Sequence, residues 1–413
     1  MAQDITITDR AGSDKAGWYL LGPAFVAAIA YVDPGNVAAN VSSGSKFGYL
    51  LLWVIVGANV MAGLVQYLSA KLGLVTGHSL PEAIGRGMGR PARLAYWAQA
   101  EIVAMSTDVA EVIGGAIALR ILFGLPLPLG GLITGVISLV LLLIKDRRGQ
   151  RLFEAVITGL LLVIALGFTA SFFVATPPAG EVMSGLVPRF QGTESVLLAA
   201  AILGATVMPH AVYLHSGLSR DRHGQPEAGA ARRRLLRITR WDVGVAMVIA
   251  GGVNAAMLLV AAFNMRGHGD VASIDDAYAA VRDTLGPTIA VLFAIGLLAS
   301  GLASSSVGAY AGAMIMQGLL HWSVPMVVRR LVTLGPAIAL LALNVDPTRT
   351  LVLSQVVLSF GIPFAVLPLV RLTANRKLMG ADANHPATTA VGWVVAVMIS
   401  LLNVALIYLT VTG

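Results

Sequence analysis

Runs of roughly 18–25 apolar residues recur along the whole 413-residue chain, each long enough to cross a hydrocarbon core about 30 Å thick. With 57% apolar and 12% charged residues and a mean hydropathy of +0.80, no stretch remains for a soluble domain. The chain reads as an all-α integral membrane protein, many spanning helices in one bundle. The spans fall at 18–41, 48–73, 92–120, 126–145, 152–175, 195–219, 241–264, 277–319, 326–344, 348–371 and 388–411, eleven in all. The stretch at 277–319 is longer than one crossing needs, and with Pro287 near its start it is expected to begin outside the bilayer.

Residues 1–17 are polar and read as a cytoplasmic tail. Arg10, Lys15, the apolar run from Trp18 and Ala28-Ile29-Ala30 imitate a secretory signal with its cleavage site. The chain stays apolar beyond that cut, which favours a first membrane helix. With the N-terminus inside, 22 of the 28 lysines and arginines fall on inner segments and 6 on outer ones. Such a bias fixes orientation and puts the C-terminus outside. The net charge of +7 is then a topology signal, because the basic residues cluster between apolar runs and not on one nucleic-acid-binding face. Absent cysteines exclude disulfides and thiolate sites, leaving carboxylate, amide, thioether, imidazole and carbonyl as ligands.

Asp33-Pro34-Gly35-Asn36 interrupts the first run. An aspartate in mid-bilayer costs at least about 2.5–3.5 kcal/mol, and proline and glycine beside it break the helix. Such a break is tolerated only where its freed backbone is buried in protein or lines a cavity. Val207-Met208-Pro209-His210 interrupts the sixth run in the same way. A repeat after five spans inverts the second copy, which is the plan of transporters with a mid-membrane site between two broken helices. The halves are 18–175 and 194–372, and 388–411 is an added helix.

Asp33 and Asn36, three residues apart, can turn two oxygens to one point. The bland alternative is that Asp33 merely caps the second half-helix, with Pro34 at its first position. Met208 alone would be core filler. At the second break, opposite Asp33, its thioether biases a site toward transition metals and away from magnesium and calcium. The carbonyls of Ala30 and Ala205, each three residues before a key side chain, are further ligands where helical bonds are released. Gln355, in the tenth span, is placed at the border of the site. His210 is either a packing histidine or a proton carrier beside the ion.

Glu101, Asp108 and Glu111 share one face of an apolar helix, and Arg329 and Arg330 are their nearest basic candidates. The group is either a structural salt-bridge network or a proton relay from Asp33 toward the cytoplasm. Asn59, Gln66 and Asn254 read as amides bonded between helices. Gly85-Arg86-Gly87-Met88-Gly89 and Ser304-Ser305-Ser306 lack the strand-to-helix context of phosphate loops and nucleophiles, and Asn40-Val41-Ser42 is a common short glycosylation pattern.

The two breaks, together with Gln99-Ala100-Glu101 through Asp108 to Glu111, resemble the Nramp family of proton-coupled divalent metal transporters. The likeness runs over essentially the whole chain and includes Asp346-Pro347-Thr348-Arg349 and Leu353-Ser354-Gln355. It implies a LeuT-like fold of inverted five-helix repeats plus an eleventh helix, in a bacterial plasma membrane. It implies import of manganese or ferrous iron, with cadmium and cobalt as further substrates and no resident cofactor, by a protein working as a monomer. It places Asp33, Asn36, Met208, Gln355 and the carbonyls of Ala30 and Ala205 on the metal, and Asp33, His210, Glu111, Asp108 and Arg330 on the proton path. Relatives that carry magnesium or aluminium differ at the methionine, which this chain keeps.

An organic-substrate transporter, of the amino-acid type, is the alternative on the same plan, but Asp33 would repel a substrate carboxylate unless a sodium ion or an amine compensated. An intramembrane enzyme would leave the duplicated breaks without a role, and no nucleophile motif is present. No nucleotide loop follows a strand, which argues against ATP-driven pumping.

Overall fold

The computed structural model describes residues 22–170, 177–265 and 273–412, and among them the regular structure is helical with no strand. The expected tail at 1–17, the first residues of the first run, the end of the fifth at 171–175 and Arg266 lie outside the described residues.

The first expected span comes in pieces: α1 (Pro23–Ile29), one 3-10 turn (Ala30–Val32) and α2 (Pro34–Phe47). Next come α3 (Leu52–Thr76), α4 (Leu80–Gly85), α5 (Arg90–Phe123), α6 (Leu127–Arg148), α7 (Gln150–Thr169) and α8 (Ala179–Ser184). The sixth span is α9 (Gly192–Thr206) and α10 (Pro209–His223). Then follow α11 (Ala230–Asn264), α12 (Ile274–Leu285), α13 (Pro287–Leu320), α14 (Met326–Ala342), α15 (Pro347–Ala374), α16 (Arg376–Met379) and α17 (Pro386–Thr412). Among the described residues nine stretches are long and apolar enough to cross a membrane, taking α9 with α10 as one. The broken first span and the 17-residue α14 make up the other two expected crossings.

The stretch expected at 277–319 is two helices. Ser273 and Asp276 form a reciprocal capping box that starts α12, and Gly286, at φ 92°, ends it. The crossing itself begins at Pro287, whose missing N–H is harmless at a first helical position. The short helices α4, α8 and α16 match no expected element, because none is long enough to carry a hydrophobic period.

Charged side chains tie together segments assigned to the same membrane face. At one end Arg220 reaches Glu82 (2.6 Å), Arg232 reaches Asp382 (3.2 Å) and Lys71 donates to Asn384 (2.9 Å). At the other, Lys46 pairs with Glu194, Arg120 with Asp275, and Trp53 Nε1 donates to the Arg189 carbonyl (3.3 Å). Two arginines counted as inner charges are buried: Arg329 and Arg330, in the N-terminal part of α14, are 5% and 1% exposed. The buried centre is formed where α2, α9 and the 3-10 turn meet α15, α5 and α13.

Candidate cation site between two broken helices

Asp33 is extended (φ −71°, ψ 166°) because Pro34 disfavours helical backbone in the residue before it. Its Oδ1 accepts the Asn36 N–H at 2.8 Å, so it does cap α2. The cap uses only one oxygen. Oδ2 faces Gln355, whose Nε2 lies 3.2 Å away. The ring nitrogen of Pro34 cannot donate to the Ala30 carbonyl four residues back. The next two carbonyls are taken by side chains: Tyr31 O accepts from Asn36 Nδ2 (2.6 Å) and Asn254 Nδ2 (2.8 Å), and Val32 O from the Ser300 hydroxyl (2.5 Å).

At the second break Val207 (φ −107°, ψ 50°) and Met208 (φ −56°, ψ 119°) leave helical geometry, and Pro209 opens α10. Pro209 likewise withholds a donor from the Ala205 carbonyl. That carbonyl accepts from Asn36 Nδ2 at 3.0 Å, so the two breaks touch. Gln355 lies between them, in contact with two glycines. A Cβ at Gly35 would strike its amide, and one at Gly204 its backbone carbonyl.

Asp33, Asn36, Met208, Gln355, Ala30 and Ala205 are all 0% exposed. No group of three or more His, Cys, Asp or Glu able to hold a metal occurs among the described residues. The centre instead has one carboxylate, Asp33, beside the Gln355 amide and the backbone oxygens, with Met208 buried at the second break. The buried Gln355 Oε1 accepts no hydrogen bond, and an acceptor left open in this way suits a cation. Asn36 points its nitrogen at the carbonyls and its oxygen at Asn40 Nδ2 (3.2 Å). Contrary to the expectation from spacing, its oxygen therefore does not share a point with the Asp33 carboxylate. Turning that amide over would free the oxygen for an ion.

The three carboxylates of α5 divide. Glu101 accepts from Arg329 at 2.8 Å. Asp108 pairs with Arg330, which also reaches the Ser305 hydroxyl. Glu111 is 0% exposed and neither of its oxygens has a hydrogen-bond partner. The nearby Ser304 hydroxyl donates to the Ser300 carbonyl instead (2.6 Å). Gly308 of α13 makes room for Glu111, since a Cβ there would fall 2.9 Å from Oε2. His210 meets Thr107 Oγ1 through Nδ1 at 3.3 Å, and its Nε2 has no partner.

Several polar groups around the breaks have no distinguishing mark in the sequence. Gln66 bonds the Tyr31 hydroxyl and, through Oε1, His215 Nδ1 at 2.7 Å, whereas its sequence context shows only an isolated amide. Ser300 and Thr107 read as ordinary small residues of apolar helices. For Ser300 the Val32 carbonyl that the first break releases could have marked the position.

The family model described as Nramp, natural resistance-associated macrophage protein-like, matches residues 24–409. The chain is 83% identical over 405 residues to a divalent metal cation transporter, MntH, of Mycobacterium tuberculosis, covering 98% of this chain and 95% of that protein. It is similar to the crystal structure of the Eremococcus coleocola manganese transporter, with a TM-score of 0.85 and 30% identity over 97% of this chain and 90% of that one. A nucleobase-cation-symport-1 transporter, Mhp1, shares the fold at a TM-score of 0.60 and 16% identity, covering 94% of this chain and 92% of its own.

Proposed function

Because the chain belongs to the Nramp family, a family of transporters and not enzymes, we propose that it imports divalent transition metal ions, manganese and ferrous iron first and cadmium and cobalt with them, coupled to proton movement. Its fold is the LeuT-like one, inverted five-helix repeats plus an eleventh helix with the first and sixth helices broken. The observation that carries the reading is that the two breaks meet: the Asn36 amide bonds the Ala205 carbonyl, and Asp33 and Met208, three residues from Asn36 and Ala205 respectively, are both fully buried.

In this reading the substrate ion is held by the Asp33 carboxylate, the Asn36 amide oxygen once that side chain turns, the Met208 thioether, the carbonyls of Ala30 and Ala205, and Gln355 through Oε1. One charge with soft and neutral ligands favours a transition metal over calcium or magnesium. Protons pass among Asp33, His210, Glu111 and Asp108. Glu111 contributes a buried carboxyl with neither oxygen hydrogen-bonded. Arg330 and, further along, Arg329 with Glu101 continue the polar path. The protein works as a monomer in the bacterial plasma membrane, N-terminus in the cytoplasm and C-terminus outside, and alternates access by moving one half against the other.

The test is uptake into proteoliposomes with the outside acidified. Saturable manganese uptake, accelerated by the gradient and inhibited by cadmium, supports the reading. Inhibition by amino acids but not by cadmium would return the site to an organic substrate.

A further inference from the structure

Two prolines, Pro363 and Pro368, stand inside α15. A proline in a helix cannot donate to the carbonyl four residues back. The carbonyls of Ser359 and Phe364 are therefore deprived of their helical donors. Side chains from three other helices replace them. The Phe364 carbonyl accepts from the hydroxyls of Tyr96 on α5 and Tyr213 (3.3 Å) on α10. The Ser359 carbonyl accepts from Asn403 Nδ2 on α17 at 2.8 Å.

The contact of Asn403 with Ser359 is a clamp. A carbonyl can only accept, which fixes the Asn403 nitrogen on Ser359 O and leaves its Oδ1 2.7 Å from the Ser359 hydroxyl. That hydroxyl is equally near the Val356 carbonyl within its own helix. Asn403 is 5% exposed on a helix whose Val394, Val397, Leu401 and Val404 face outward and are at least half exposed. Ser359 is one helical turn from Gln355, on the same face. The same turn also packs against Gly204, where a Cβ would lie 3.0 Å from the Ser359 nitrogen. Ala205, next to Gly204, carries the carbonyl bonded by Asn36.

We propose that Asn403, on the eleventh crossing, is a positioning residue of the cation site: by holding the proline-released carbonyl of Ser359 it fixes the turn of α15 that presents Gln355 to Asp33. The added helix is then part of the transport machinery and not only a lipid-facing cover. This role rests on the proposed function, in which Gln355 faces the ion.

A double-mutant cycle tests it, with manganese uptake into proteoliposomes measured for wild type, Asn403→Leu, Gln355→Ala and the double variant. Asn403→Leu is expected to raise the manganese KM about tenfold with Vmax kept within about twofold, and to add less than about twofold when Gln355 is already alanine. An unchanged KM, or two effects that multiply, would overturn the proposal. Asn403→Ser, too short to reach the carbonyl, enters the same cycle if the leucine variant does not fold. Absence of manganese uptake by a well-folded wild type would instead sink the transport function beneath it, so the two failures are distinguishable.

Discussion

Asn36 Nδ2 donates to the Ala205 carbonyl at 3.0 Å, across 169 residues of sequence, and so joins the break in the first crossing to the break in the sixth. Each break exists because a proline opens the second half-helix, and each proline leaves a carbonyl four residues back without its donor. The centre between the breaks is therefore lined by backbone oxygens that helices ordinarily consume.

Met208 is the residue expected to set selectivity. In Met208→Ala the charge of Asp33 and the neutral oxygens persist while the soft ligand is lost. Manganese uptake is expected to survive, and calcium or magnesium to compete for it where they do not in wild type. Competition assays with each ion check this, and unchanged discrimination would show that the thioether does not select.

Glu111 is expected to matter for protons and not for the ion. Glu111→Gln keeps the shape of a side chain that touches Gly308 but cannot release a proton. Manganese binding should be retained, while acid-driven uptake loses most of its dependence on external pH. A dye trapped in the liposomes reports the accompanying proton entry, and entry at the wild-type rate would remove Glu111 from the path.

The Asp108–Arg330 pair, on the proposed proton path, is expected also to hold α14 to α5. Removing one partner leaves a buried uncompensated charge, at a cost of about 3–5 kcal/mol. Arg330→Met alone should lower thermal stability in detergent more than the double change Asp108→Asn with Arg330→Met. Equal losses from the single and double variants would mean that the pair does not hold α14 to α5.

Gly204→Ala is expected to push α9 off α15. The new methyl would meet the Gln355 backbone, with its carbonyl carbon at 2.9 Å and the Ser359 nitrogen at 3.0 Å, where neither helix can yield cheaply. Overpacking of this kind costs about 1–3 kcal/mol. Thermal stability should fall and manganese KM rise together; a stability loss with normal KM would separate this contact from the site.

Much of the architecture is legible in the sequence because lipid leaves so few options. An aspartate and two prolines inside apolar runs have no cheap place in a bilayer, so Asp33 and Pro209 mark the breaks by residue type alone. The shared face of Glu101, Asp108 and Glu111 follows from helical spacing. Which of them is paired does not, because Arg329 and Arg330 are neighbours in sequence and only the packing of α14 sends one to Glu101 and the other to Asp108. The boundary between α12 and α13 is hidden because the two helices run together as one stretch, although Gly286-Pro287 marks the joint. The Asn403–Ser359 clamp has a signal of its own: Pro363 in a spanning helix requires a donor for the Ser359 carbonyl from somewhere else. Nothing in the spacing of α17, however, says that the donor is Asn403.

That the two breaks hold the transported ion is tested most directly by manganese uptake into proteoliposomes under an acid-outside gradient, wild type beside Asp33→Ala. Wild type should show saturable uptake, and the variant, which loses the one charged ligand, none above empty liposomes. Uptake by a folded Asp33→Ala protein at the wild-type rate would contradict this, and would place the ion somewhere other than between the breaks.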